Sequence, residues 1–156
     1  MSGATAQAVV ERPAALADHV GARLGASAWR TLDQQAIDAF AEVTGDRQWI
    51  HVDASRAAGG PFGTTVAHGF LTLALCAGFL DEAVAVQGAA MQLNYGLDRV
   101  RFPAPVPAGA RVRGVVELTS AADVPGGVQA VFRITVEIED QPKPGCVADL
   151  VVRFLH

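Results

Sequence analysis

The chain is expected to fold in the α+β class, with one long buried helix wrapped by a curved antiparallel sheet. Three observations predict this. Residues 69–80 are apolar on nearly every helical face, and a helix hydrophobic all round is buried on all sides. From Met91 onward the apolar residues recur at every second position, which is the period of a strand. The breaks between these stretches, residues 103–109, 122–127 and 140–145, are Pro/Gly turns of hairpin or short-loop length. Four strands joined in succession make an antiparallel meander with one apolar face, and the helix is the only large partner for that face.

Composition sets the frame. With 156 residues, 51% of them hydrophobic and 18% charged, the chain is long enough for one domain with a real core and too apolar for disorder. A net charge of -4 gives no reason to expect nucleic acid. Of the 12 basic residues only Lys143 is a lysine, and the arginines are spread along the chain. That spread suits solvated strand faces, although two or three arginines together would bind a phosphate bidentately. Cys76 and Cys146 lie in apolar segments without metal-type spacing and read as two buried thiols in a reducing compartment. The N-terminus lacks a charged leader before an apolar run. The longest apolar run, 69–80, falls short of the roughly 20 residues needed to cross a bilayer. A soluble, cytoplasmic protein is expected, without membrane or nucleic-acid partners.

Taken in order, residues 1–11 are small and polar and read as a flexible tail, leaving 12–156 as a single domain. Pro13 opens a short helix that Gly21 stops. Residues 27–32 read as a first strand. Asp33 stands where an N-cap belongs, with Ile37, Phe40, Ala41 and Thr44 following at helical spacing and Gly45 as a left-handed cap. Residues 46–67 form a long loop, with a possible turn of helix at 53–58, and a loop of this length in a compact domain is usually functional. The apolar helix then runs over 69–83. Met91, Leu93, Tyr95 and Leu97 alternate, and the phase slips near 96–98, as a bulge would make it. Residues 110–120, 128–138 and 146–154 supply the remaining strands.

The residues with chemical capacity cluster just before the apolar helix. Asp46 and His51 stand five apart. On spacing alone the bland reading is favoured, in which Asp46 caps a turn and His51 is a satisfied structural histidine. The other reading is a general acid/base pair, since histidine titrates near neutrality and a nearby carboxylate tunes it. His68 reads first as a helix N-terminal residue, with a ligand or donor role as the alternative. Gly69, without a side chain, lets a carbonyl approach free N–H groups at the positive end of the helix. There is no G-x-S-x-G elbow, no P-loop, no dinucleotide fingerprint and no H-x-x-x-H pair.

Gly45-Asp46, His51 and Ala67-His68-Gly69 resemble the signature of the MaoC-like, or (R)-specific enoyl-CoA hydratase, family. That signature reads roughly Gly-Asp-x-Asn-Pro-x-His, followed by an Ala-His-Gly that opens a central helix. The chain departs from it at Gln48 and Trp49. Its own Gly-Asp-x-Gln-x-Ile-His, together with Asn94-Tyr95-Gly96 and Val100-Arg101-Phe102-Pro103, is similar to the nodulation-protein-N-like branch. The likeness runs from about Ser27 to the C-terminus.

The resemblance implies the hot-dog fold, usually paired as a homodimer, and reversible hydration of a trans-2-enoyl-CoA to the (R)-3-hydroxyacyl-CoA. It implies that Asp46 and His51 flank one water and that the Gly69 N–H meets the thioester oxygen. No metal and no separate cofactor are expected, because coenzyme A arrives on the acyl-CoA substrate. Gln48, Trp49, His68, Asn94, Tyr95 and Arg101 are the candidate substrate-binding residues. Gln48 would take over the holding of the loop, Trp49 would shape the acyl pocket, and Asn94, Tyr95 and Arg101 would either line the pocket or reach coenzyme A phosphates, with strand packing and a solvated face as the equal alternative. A hot-dog thioesterase is the first alternative, and the absence of an acid in 69–80 leans against it. A binding or assembly subunit without turnover is the second, and the presence of both Asp46 and His51 counts against that.

Overall fold

In the computed structural model, residues 6–156 are described. The apolar run forms the helix α4, Gly69–Ala83, and it packs on a sheet whose four long strands come from the C-terminal half of the chain. The strands of that sheet are β2 (Arg23–Ala26), β3 (Arg30–Leu32), β5 (Met91–Arg101), β6 (Ala110–Val124), β7 (Gly127–Ile138) and β8 (Cys146–Leu155). Its order is β2-β6-β7-β8-β5, with β3 also on β6, and every pairing is antiparallel. Phe79 of α4 with Phe132 and Phe154 of the sheet are the largest fully buried side chains. The two layers meet closely at Gly114 of β6, where a Cβ would stand 2.5 Å from that of Phe79.

Local signals worked as the residue types dictate. Asp33 accepts a hydrogen bond from the Ala36 N–H and starts α1 (Gln34–Thr44), and Gly45 ends it with φ 78°. Pro13 opens a turn of 3-10 helix over Pro13–His19. In β5 the register slips between Asn94 and Gly96 and again between Leu97 and Arg99, so the expected bulge is a pair of bulges. Both cysteines are buried free thiols, and the Cys76 thiol is pushed up by its hydrogen bond to Cys146 and by burial.

Several expectations are corrected. The meander holds for β6, β7 and β8, but β5 pairs with β8 and not with β6. The reason lies in residues 103–109, whose three prolines keep the chain extended instead of letting it turn. The segment crosses beneath the entry to α4, where Ala67 N–H donates to the Val106 carbonyl at 2.8 Å and Ala104 N–H to Pro144 at 3.1 Å. The strand expected at 27–32 is confined to β3, and a further strand, β2, precedes it; the gap between them starts at Ser27, whose hydroxyl accepts the Gly114 N–H at 3.0 Å. The tail ends sooner than residue 11. Ala8–Val10 is a strand, β1, in parallel register with β4 (Val84–Val86), and Val10 is buried. Residues 1–5 of the expected tail lie outside the described residues.

Nor is α4 buried on all sides. Phe70, Ala74 and Gly78 lie one helical turn apart and are exposed, because the sheet covers only the opposite face. No helix among the described residues is long and apolar enough to cross a membrane.

Candidate active site

The loop between α1 and α4 carries two more short helices, α2 (Trp49–Val52), which had no clear sequence signal, and α3 (Ala54–Ala58), capped by the Asp53 carboxylate. The left-handed Gly45 turns the chain back at the end of α1, so Asp46 emerges beside α2. The Asp46 N–H donates to the Thr44 hydroxyl at 3.3 Å, and its carboxylate stays exposed. His51, on the single turn of α2, is buried. Its Nδ1 lies 2.7 Å from the Val66 carbonyl oxygen. A carbonyl only accepts, so Nδ1 carries the proton and Nε2 of the neutral ring keeps a free lone pair.

His68 is part of the same cluster. Its ring stacks on His51 with centroids 3.8 Å apart and planes 23° from parallel, and Phe40 lies against its other side at 4.9 Å. By the same reasoning its Nε2–H donates to the Asp46 carbonyl at 2.9 Å. Its Nδ1 is buried and has no hydrogen-bond partner among the described residues. His68 therefore does more than begin a helix: it holds the Asp46 backbone and forms the floor on which the His51 ring rests.

One donor atom from each of Asp46, His51 and His68 lies within 4.8 Å of the other two. The set has the composition that divalent metals take, yet a metal at about 2.0–2.1 Å needs ring lone pairs that converge in the ring planes. Rings stacked nearly parallel point their lone pairs alongside one another. The arrangement suits proton transfer better than chelation.

Gly69 opens α4, where the first N–H groups have no acceptor in their own helix. It faces a cavity of about 260 Å³, also lined by Phe62, Ala67, Thr72, Phe102 and Val106. The Phe102 ring lies against Gly69 so closely that a Cβ there would stand 3.0 Å from it. Backbone donors, the positive helix end and an apolar cavity thus meet at one residue.

The structure does not bring every candidate to this site. The Gln48 side chain is exposed, and only its backbone acts, donating to the Asp46 carboxylate at 3.5 Å and accepting from the His51 N–H at 3.0 Å. The role expected of Gln48 falls to Gln34, which the sequence reading passed over. Gln34 Nε2 donates to the His51 carbonyl at 2.7 Å and to Asp38 at 2.8 Å, while its Oε1 accepts from the Thr65 hydroxyl at 2.5 Å. Trp49 packs under the Arg56 guanidinium, 4.3 Å from its ring centroid, and against Gly60, so it does not line the cavity. Asn94, Tyr95 and Arg101 lie on β5, away from the cavity walls. Tyr95 stacks with Arg153 at 3.5 Å, and the residue of this stretch that reaches the cavity is Phe102. No local pattern marks Gln34 for this role, since the two partners that tie it to the site lie 17 and 31 residues away.

Residues 15–139 match the model of the MaoC like domain. The chain is 50% identical over 146 residues to 3-hydroxyacyl-thioester dehydratase Z of Mycobacterium tuberculosis, a match covering 93% of this chain and 97% of that protein. It is 46% identical over 136 residues to nodulation protein N of Rhizobium leguminosarum, covering 85% and 84% of the two chains. Among solved structures, an Archaeoglobus protein described as a monoamine oxidase regulatory protein superposes with a TM-score of 0.78. At 20% identity, over 97% of this chain and 98% of that one, it shares the hot-dog fold.

Proposed function

The chain belongs to the MaoC-like dehydratase family and is a hydratase/dehydratase, and from that premise we propose that it hydrates trans-2-enoyl-CoA thioesters reversibly to (R)-3-hydroxyacyl-CoA. The observation that carries the reading is the His51 ring, whose Nδ1–H is held by the Val66 carbonyl so that Nε2 is left as a base beside the Asp46 carboxylate. In the proposed reaction the pair flanks one water. The water oxygen bonds to C3 as one of its protons passes to the pair, the C2–C3 double bond moves electrons toward the thioester, and C2 then takes a proton back from the pair. The product gains one water and no net charge. Negative charge that gathers on the thioester oxygen meets the Gly69 N–H at the positive end of α4, and a donor so placed is worth about 10²–10³ in rate. The cavity beside Gly69 receives the acyl chain.

Coenzyme A arrives as part of the substrate, and no further cofactor enters this scheme. The two free buried thiols accord with a cytoplasmic location. A second copy of the chain is the proposed partner, because β5 and one face of α4 expose apolar side chains. The reaction is tested with crotonyl-CoA, following the enoyl absorbance and free thiol together. Loss of absorbance without thiol is expected. Thiol release would replace the reading with a thioesterase, and no change across a range of chain lengths would replace it with a binding role.

A further inference from the structure

The cavity at Gly69 has one wall built unlike the others. Ala67 N–H is tied to the Val106 carbonyl at 2.8 Å, Ala104 N–H to Pro144 at 3.1 Å, and Gly145 N–H to the Val136 carbonyl at 2.9 Å. Thr72 is buried, and its hydroxyl donates to the Gly69 carbonyl at 2.6 Å. Phe102 is half-exposed, yet its ring is set against Gly69 and edge-on to Phe70. Each of these walls is fixed by its partners.

Phe62 is the exception. It stands on the turn that follows α3, is 45% exposed and lines the same cavity, so its ring lies between the cavity and solvent. Among the described residues no aromatic or cationic side chain holds that ring. The backbones of Phe62 and Thr64 make no hydrogen bond there either, and the turn is closed only by Gly63 N–H to the Gly60 carbonyl at 3.3 Å. Both ends, by contrast, are fastened. Gly60 lies against the Trp49 ring, where a Cβ would stand 3.0 Å away. Thr65 is held by Gln34 through its hydroxyl and by the Ala108 N–H, which donates to its carbonyl at 2.9 Å. A segment pinned at both ends and free at its tip carries an apolar ring that can settle on whatever fills the cavity. In the proposed reaction the thioester oxygen sits at Gly69 and C2–C3 at the Asp46 and His51 pair, which leaves the cavity to the carbons beyond C3. Each methylene that the ring helps to cover is worth about fourfold in binding.

We propose that Phe62 is a specificity-determining residue, closing over the acyl carbons beyond C3 so that enoyl thioesters longer than crotonyl are preferred. The assignment rests on the enoyl-CoA reading above, and the test separates the two. Wild type, Phe62→Ala and Phe62→Leu are compared on crotonyl-CoA and trans-2-octenoyl-CoA. In parallel, calorimetry measures the binding of butyryl-CoA and octanoyl-CoA, saturated thioesters that cannot be hydrated. The wild type is expected to bind octanoyl-CoA the more tightly. Phe62→Ala should raise KM for the octenoyl thioester roughly tenfold and for crotonyl-CoA about twofold, with kcat close to wild type on both. Phe62→Leu, which keeps an apolar side chain, should recover most of the preference. An equal loss on both chain lengths would overturn the proposal, as would a Phe62→Ala protein that favours the longer chain as strongly as the wild type does. So would wild-type binding of octanoyl-CoA no tighter than that of butyryl-CoA, whatever the turnover. If the preference and its loss appear in binding while neither enoyl thioester is hydrated, the role of Phe62 stands and only the proposed reaction falls.

Discussion

His51 keeps a free lone pair on Nε2 because a carbonyl 15 residues further along, that of Val66, occupies its other nitrogen. Asp46 differs: its carboxylate is exposed, and its backbone, not its side chain, is tied down by His68. The two substitutions therefore separate chemistry from folding. Asp46→Asn is expected to lower kcat by about 10²–10⁴, the usual worth of a positioned acid or base, with thermal unfolding unchanged. His51→Gln should lose as much. Near-normal turnover by either variant in the crotonyl-CoA assay would remove that residue from the proposed pair. Gln34 has a subtler role. It joins α1, α2 and Thr65 through three hydrogen bonds, and one of them fixes the His51 carbonyl. Gln34→Leu should lower kcat roughly tenfold while leaving KM close to wild type, at a stability cost of about 1 kcal/mol for each bond lost. A lowered Tm with unchanged kcat would show Gln34 to be structural only. Asp46, His51 and Gly69 stand out as candidates in the sequence because their spacing belongs to a signature. Gln34 does not, since a clamp between distant segments leaves no trace in local pattern.

Among the elements, α4 and β6 show how closely a helix and a sheet can be set. Gly114 takes an inward position in the alternation of β6, and its missing side chain makes room for Phe79. A Cβ there would stand 2.5 Å from Phe79 Cβ, so helix or strand would have to move. Gly114→Ala is therefore expected to destabilise the fold by about 1–3 kcal/mol, the usual cost of overpacking, and to lower Tm in a thermal melt. An unchanged Tm would mean that the layers part without strain. The elements that local rules govern were readable: α1 from its Asp33 and Gly45 ends, α4 from its apolar length, and β6, β7 and β8 from period two. The partner of β5 was not, because antiparallel strands of equal pattern pair with any open edge. Only the extended prolines of 103–109 carry β5 to β8. The strand β1 and the single turn α2 are each too short for periodicity to detect.

At the scale of the whole molecule, the described chain leaves apolar surface uncovered in one coherent arrangement. Strand β5 sits at the end of the sheet with β8 on one side only, and Met91, Leu93, Tyr95 and Leu97 are all at least 42% exposed. On α4, Phe70 is 67% exposed at the head of the stripe that continues through Ala74 and Gly78. A long apolar edge strand invites pairing, and contiguous apolar surface marks an interface. Small residues at Ala74 and Gly78 would let a second helix approach closely, while β5 would gain a partner for its open edge. In the proposed pairing, the sequence features that predict a helix buried on all sides would describe a helix buried by two copies. Sedimentation equilibrium is expected to give twice the 16.2 kDa mass of one chain. Phe70→Glu combined with Leu97→Lys should shift the protein to single chains. Because Phe70 packs edge-on against Phe102, 6.2 Å between centroids, and Phe102 walls the cavity at Gly69, that variant should also lose hydration activity. A wild-type protein that sediments as one chain at micromolar concentration would sink the pairing, and with it the account of why this helix is apolar all round.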